Sequence, residues 1–132
     1  MIVVDTSAWV EFLNDTGHEI VNDLECALEN ELICLGDLIY CEVLQGVKSK
    51  RELNKVKNLF GTLQKDIIGG FDICERASEN YKYLRSLGVT VRKTIDIIIG
   101  TFCVENGHEI IHNDRDFQSM EEHLGLKSFR AP

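Results

Sequence analysis

The chain has 132 residues, of which 44% are hydrophobic and 27% are charged. These values are ordinary for one globular domain that buries most of its apolar surface without disulfides. A net charge of −8 argues against binding nucleic acid through a broad basic face, because lysine and arginine normally make the phosphate contacts. No apolar run is long enough to cross a membrane, and no leader pattern precedes the first strand. We therefore expect a cytoplasmic protein with a single domain over residues 1–132.

The cysteines do not form a metal-binding pattern. They are odd in number, lack a CxxC pair and each lie within an apolar stretch. Cysteines placed in this way are typical of small buried hydrophobic side chains, and tetrahedral zinc spacing is missing. The five residues are Cys26, Cys34, Cys41, Cys74 and Cys103.

Strands and helices are predicted to alternate along the chain. The run Ile2-Val3-Val4 is typical of a strand that is buried on both faces of a parallel sheet. Further strands are predicted at residues 32–35, at 67–71 around a Gly-Gly pair, at 110–112 and at 127–129. Helices are predicted at 8–13, 16–30, 37–47, 53–63, 72–87 and 94–104, followed by a short one to about residue 124. The alternation predicts an α/β fold of three layers, α/β/α, around a central parallel sheet of four to five strands.

Asp5-Thr6-Ser7 ends the first strand. In open parallel sheets ligands bind beyond the carboxyl ends of the strands, which makes Asp5 a candidate site residue. Asp, Ser and Thr are also preferred helix N-caps, so a capping role explains Asp5 equally well when it is considered alone. Two further helix starts carry such signals, a Thr16–Glu19 capping box and an Asp37 cap.

Two acids lie in helices that otherwise have core composition. Glu42 is followed four residues later by Gly46, and Asp96 is followed four residues later by Gly100. An ionised carboxylate in such a helix is costly unless it is paired or binds a cation, and a glycine one turn on would leave room beside it. Asp96 lies in a first turn, where the helix dipole alone could explain it, but Glu42 lies deeper in its helix.

The fourth predicted strand runs into Asn113-Asp114-Arg115-Asp116-Phe117. Asp116 has the position of an N-cap for the helix that follows, whereas Asp114 has no evident capping role and lies closer to the strand end. The sequence leaves open which of the two faces the site. His112 is interpreted as a solvated residue beside the acidic loop rather than as a general base.

These acids can converge at one end of a parallel sheet. A group of carboxylates without basic partners is tolerated chiefly as an oxygen-ligand site for Mg²⁺ or Mn²⁺, which activate water and offset charge on a phosphoryl group. Arg92 and Lys93 directly precede Asp96 and would stand at the mouth of such a site, where a phosphate backbone needs cations. The other basic group, between residues 48 and 57, is interpreted as a solvated helix face.

The four motifs, in this order, resemble the PilT N-terminus (PIN) domain family. Their order and the chain length match VapC-type toxins of bacterial and archaeal toxin–antitoxin systems. The resemblance implies a metal-dependent endoribonuclease that cleaves tRNA or other structured RNA, is commonly a homodimer, and is neutralised by a VapB-type antitoxin whose tail occupies the active-site groove. It implies an acidic site of Asp5, Glu42, Asp96 and Asp114 or Asp116 with Mg²⁺ or Mn²⁺, in which Asp5 and Asp96 are direct metal ligands and Thr6 or Ser7 supports them.

Hydrolysis at such a site would leave a 5′-phosphate and a 3′-hydroxyl, without a 2′-OH nucleophile. Three other functions fit the sequence less well. A receiver-type signalling domain needs paired acids after strand one and a lysine after strand five, and a haloacid-dehalogenase phosphatase needs a second acid two residues after Asp5. The third is a PIN-like module that binds RNA or protein without cutting, which would have no reason to tolerate the repulsion among the acids.

Overall fold

The computed structural model describes residues 1–132 and has the predicted three layers, with helices on both faces of one sheet. The strands are β1 (Ile2–Val4), β2 (Ile33–Gly36), β3 (Gln64–Asp66), β4 (Glu109–Ile111) and β5 (Lys127–Ser128). The helices are α1 (Thr6–Leu13), α2 (Ile20–Glu29), α3 (Asp37–Gly46), α4 (Lys50–Gly61), α5 (Phe71–Ser86), α6 (Thr94–Asn106) and α7 (Arg115–Leu124). The predicted fold class is confirmed.

The sheet is parallel throughout, with the strand order β3-β2-β1-β4-β5. The chain first builds outward from β1 through β2 to β3, then returns to the other side of β1 with β4 and β5. The topological switch point, where open α/β sheets bind their ligands, therefore lies between β1 and β4. This order differs from the 2-1-3-4-5 order of flavodoxin-like receiver domains, which removes the receiver alternative.

The third strand was predicted in the wrong place. It is formed by the polar segment Gln64–Asp66, whose three side chains are all exposed, rather than by the apolar residues at 67–71. An edge strand has a neighbour on one side only, so its composition need not be apolar. The side chain of Ile68 is instead buried against Gly36. Any residue larger than glycine at position 36 would overlap the Ile68 side chain.

Two predicted helix caps were also wrong. Helix α2 begins at Ile20, and the Ile20 N–H donates to His18 Nδ1 at 3.1 Å, so Thr16 and Glu19 form no capping box. At the start of α3, the side chain of Asp37 accepts the Ile68 N–H at 2.9 Å instead of capping its own helix. A nearby histidine thus replaces the expected capping box of α2, whereas Asp37 is used for a contact with a distant part of the chain.

The core lies between the sheet and its helices and includes Trp9 of α1 packed on Phe60 of α4, with ring centroids 4.7 Å apart. Cys34 and Cys103 are buried as predicted, but Cys41 and Cys74 are exposed because they lie on the outer sides of α3 and α5. No helix combines the length and the apolar composition needed to cross a membrane.

Candidate acidic active site

The site lies at the carboxyl ends of the two central strands. Asp5 directly follows β1, and its N–H donates to the carbonyl of Ile111, the last residue of β4, at 2.9 Å. Its carboxylate also caps α1, since Oδ2 accepts the Ser7 N–H at 3.0 Å. Asp5 is buried, with 4% of its surface exposed. The capping and site interpretations of Asp5 are therefore compatible.

Both hydroxyls that follow Asp5 hold acidic side chains. Ser7 Oγ donates to Asp5 Oδ2 at 2.6 Å and accepts the Asn113 N–H at 2.9 Å, which ties the β1 end to the loop after β4. Thr6 Oγ1 donates to Glu42 Oε1 at 3.0 Å, which ties α1 to α3. One dipeptide thus fixes two carboxylates from different parts of the chain.

Asp96 is the most unusual acid of the chain. It lies in the first turn of α6, only 4% of its surface is exposed, and its Oδ2 is buried without a hydrogen-bond partner. Burial, reinforced by the charges of Asp5 and Asp114 and partly offset by that of Lys93, raises the pKa of Asp96 to about 7. A buried carboxylate oxygen with no donor is suited to a cation.

The capping role belongs to Asp114 and not, as expected, to Asp116. Asp114 is the N-cap of α7, and its Oδ1 accepts the Asp116 N–H at 2.9 Å. Asp116 is the buried residue of the pair and lies in the first turn of α7. One carboxylate oxygen from each of Asp96, Asp114 and Asp116 lies within 4.8 Å of the others, which is the spacing of a possible metal site. The structure therefore brings both acids of this loop to the site, and this group of three does not include Asp5.

Glu42 stands at the edge of the cluster and is partly buried. Burial raises the pKa of its carboxyl, although the hydrogen bond from Thr6 opposes this shift. Beside it a groove of about 360 Å³ runs between α1, α3 and α4, lined by Thr6, Val10, Val43 and Gly46 among others. An alanine Cβ at Gly46 would meet no atom within 4 Å, so the glycine does leave open space next to the carboxylate.

The two basic residues predicted at the mouth have different surroundings. Arg92 Nε lies 3.3 Å from Asp116 Oδ2, and Arg92 Nη2 lies 3.7 Å from Asp114 Oδ1. Lys93 forms no ion pair, but its positive charge partly offsets the rise in pKa of Glu42 and of Asp96. The position of Arg92 near the acids was predicted, but its ion pairs with Asp114 and Asp116 were not.

His112 is buried rather than solvated, contrary to expectation. Its Nδ1 accepts the Asp114 N–H at 3.2 Å, and its Nε2 lies 3.5 Å from Glu121 Oε2. The signal for this role was the apolar run Ile110-Ile111 directly before it, which continues a buried strand into the loop. His112 therefore orients the backbone of the acidic loop and faces away from solvent.

The arrangement can hold a divalent cation at oxygen ligands on a surface that also carries exposed Lys93 and Arg92. Carboxylates held by hydrogen bonds from Ser7 and Thr6 are preorganised for such an ion, and the unpartnered Oδ2 of Asp96 is left free for it. A cation at this edge could activate water or balance charge on a phosphate group.

Known proteins are similar to this chain over nearly its whole length. Ribonuclease VapC11 of Mycobacterium tuberculosis is 29% identical over 134 aligned residues, which cover 98% of this chain and all of the relative. The crystal structure of VapBC2 from Rickettsia felis, bound to a DNA fragment from their promoter, contains a chain with a TM-score of 0.73 and 19% identity, and 97% of each chain is covered. The Mycobacterium tuberculosis toxin VapC20, described as cleaving the sarcin–ricin loop, gives a TM-score of 0.69 at 16% identity over 99% of this chain and all of the other.

The two structural neighbours support the fold, since their sequence identities are low. The family assignment has a separate basis, because the PIN domain family model matches residues 2–122, from the first strand to the last turn of α7. That span includes every acid of the site. This chain belongs to the PIN domain family.

Proposed function

We propose that this chain is a metal-dependent endoribonuclease of the VapC type. The observation that carries the proposal is the buried Asp96 carboxylate, whose Oδ2 lacks a partner while Asp114 and Asp116 stand within 4.8 Å. Membership of the PIN domain family and the VapC ribonucleases among its relatives support hydrolysis of RNA as the reaction. The substrate we expect is tRNA or another structured RNA.

The residues present fit a divalent metal. The donor set is made of carboxylate oxygens, which Mg²⁺ and Mn²⁺ prefer, and one of these oxygens is buried without a donor. Asp96, Asp114 and Asp116 have the spacing to hold one ion, and Asp5 lies close enough for its charge to act on Asp96. When bound, such an ion makes water more acidic and offsets charge on the phosphodiester. We propose Mg²⁺ as the cellular ion, with Mn²⁺ as a substitute.

The other residues are proposed to position the acids and to handle protons. Ser7 fixes the Asp5 carboxylate through two hydrogen bonds, and Thr6 fixes Glu42. The raised pKa of Glu42 suits this carboxyl to hold and release a proton at the edge of the site. Lys93 is exposed and unpaired, so it is available to a phosphate of the RNA backbone.

The partner we propose is a VapB-type antitoxin. Support comes from the similarity to chains of VapBC assemblies and to FitAcB from Neisseria gonorrhoeae, and from the groove that leads away from Glu42 between α1, α3 and α4. An antitoxin segment in this groove would end beside the acids and close access to them. We further propose a homodimer and a cytoplasmic location.

The deciding experiment is cleavage of total tRNA by purified, antitoxin-free protein with Mg²⁺ or Mn²⁺, against the same reaction in EDTA. Asp5→Asn and Asp96→Asn should each lower the rate by at least about a hundredfold, since each removes a charge from the cation site. Glu29→Gln serves as a matched control, because it removes an exposed acid at the end of α2, near the amino end of β2, and should leave the rate unchanged. Product ends should be a 5′-phosphate and a 3′-hydroxyl.

Other outcomes would overturn parts of the proposal. Cutting that persists in EDTA or in both variants would exclude the acidic cluster as the active site. A 2′,3′-cyclic phosphate product would exclude water as the nucleophile. Folded protein that binds Mn²⁺ in calorimetry but cuts no RNA would favour the binding module instead.

A further inference from the structure

Arg92 contacts the site in an unusual way. It precedes α6 by two residues, yet its guanidinium reaches the start of α7, where Nε lies 3.3 Å from Asp116 Oδ2 and Nη2 lies 3.7 Å from Asp114 Oδ1. These are the only ion pairs that any acid of the site makes. The side chain of Arg92 is 57% exposed, so the guanidinium can leave the carboxylates without disrupting the core.

The two carboxylates that Arg92 contacts belong to the group of three with metal-binding spacing. A guanidinium and a divalent ion on the same carboxylates repel each other and compete for the same lone pairs. The third member, Asp96, forms no ion pair with Arg92 and keeps an unpartnered oxygen. In the metal-free protein, Arg92 therefore neutralises the α7 side of the cluster and leaves the α6 side open.

We propose that Arg92 is a resident cation that competes with the divalent metal for Asp114 and Asp116, and so sets the metal affinity of the site. The inference rests on the proposed function and assigns Arg92 as a positioning residue. Without metal, Arg92 holds the first turn of α7 against repulsion between the acids. With metal bound, the guanidinium is displaced toward solvent, where it can meet a phosphate group of the RNA.

Calorimetric Mn²⁺ titration of the whole protein at pH 7.5 tests this inference. Because Arg92→Gln removes the competitor, the Kd for Mn²⁺ should fall by about two- to fivefold, the range expected for an exposed ion pair. Arg92→Lys keeps the charge without the two-pronged geometry and should give an intermediate Kd. The melting temperature of metal-free Arg92→Gln should fall, while its rise on adding Mn²⁺ should exceed that of the wild type.

Arg115→Gln is the matched control, since Arg115 is exposed at the start of α7, between Asp114 and Asp116, and forms no ion pair. If its Kd changes as much as that of Arg92→Gln, general charge explains the effect and the inference is wrong. An unchanged or weaker affinity in Arg92→Gln would also overturn the inference. In that case RNA cleavage by the wild type with Mn²⁺ would leave the proposed function intact, whereas a wild type that takes up no Mn²⁺ would overturn both.

Discussion

The Asp96 carboxyl has to satisfy two conflicting demands. Burial in the first turn of α6 and the nearby charges of Asp5 and Asp114 raise its pKa to about 7, so the metal-free site holds a proton there near neutral pH. Metal binding requires the ionised form. The site should therefore release a proton when it takes up an ion, and its metal affinity should fall as the pH drops below 7.

This conflict makes Asp96 destabilising in the metal-free protein. Its pKa is higher in the folded state than its ordinary value of 3.8, so the folded state binds more protons between these values and stability falls as the pH rises through them. Since Asp96→Asn removes the buried charge, we expect it to raise the free energy of unfolding in EDTA at pH 8 by about 2 kcal/mol. This is roughly half of the stability that the charge costs, because the buried amide that replaces it also lacks hydrogen-bond partners. The gain should be smaller at pH 5. Urea denaturation at both pH values measures it.

Glu29→Gln again provides the control, as an exposed acid whose removal should leave stability unchanged at either pH. If Asp96→Asn were less stable than the wild type at pH 8 in EDTA, the carboxylate would be satisfied by contacts that the geometry lacks. Excess Mn²⁺ should reverse the order, because only the wild type binds the ion with its full set of ligands.

At the residue scale, the sequence predicted which acids are unusual but not how they are held. Glu42 and Asp96 stand out because an acid is costly in an apolar helix, and Asp5 stands out because it follows the carboxyl end of the first strand. Which of Asp114 and Asp116 caps α7 could not be foreseen, since a two-residue shift of the helix start decides it. The hydrogen bond from the Asn113 N–H to Ser7 Oγ spans 106 residues and leaves no local pattern.

At the scale of elements, the two acid–glycine pairs turn out to have different causes. Gly46 faces open space beside Glu42, whereas a side chain at Gly100 would overlap Met120 Sδ. Met120 is fully buried on α7, so Gly100 permits the close approach of α6 and α7. The repeated spacing was interpreted as room for a carboxylate, and this holds for Gly46 alone.

The two glycines therefore predict opposite effects of alanine. Gly100→Ala should lower the free energy of unfolding by about 1–3 kcal/mol, because Met120 has to leave its buried position. Gly46→Ala should raise it by about 0.5 kcal/mol through helix propensity, with no clash at the end of α3. Thermal and urea denaturation of both variants give the comparison. Equal effects would mean that α6 and α7 are not closely packed at this point.

Hydrophobic periodicity predicts most elements of this fold but not strand β3. The alternation of elements, the long apolar α6 and the buried β1 were predictable because they express hydrophobic periodicity. Strand β3 was not, since an exposed edge strand of Gln64–Asp66 has no apolar signal while the buried Ile68 beside it has a strong one. Pairing with β2 decides the position of this strand.

At the scale of the whole molecule, the acidic composition limits how RNA can be bound. The chain carries 22 acidic and 14 basic residues, and the exposed basic residues around the site are few: Arg92, Lys93 and Arg115. The surface around the site therefore lacks a broad basic area for binding RNA. Affinity for RNA has to depend on a small number of phosphate contacts and on the cation held by the acids.

The small number of basic residues predicts that the affinity for RNA depends only weakly on salt concentration. Each phosphate contact contributes roughly −0.7 to −0.9 to the slope of log K against log salt, so three contacts should give a slope of about −2 to −3. Fluorescence anisotropy with tRNA and the Asp5→Asn variant, at a fixed low Mn²⁺ concentration, measures the slope without cleavage. Adding Lys93→Gln should reduce the slope by about 1, whereas Lys127→Gln, at the amino end of β5 and away from the carboxyl ends that carry the site, should leave it unchanged. A slope steeper than about −6 would mean that the RNA lies across a basic surface elsewhere on the protein, and that the acidic edge is not where most of it binds.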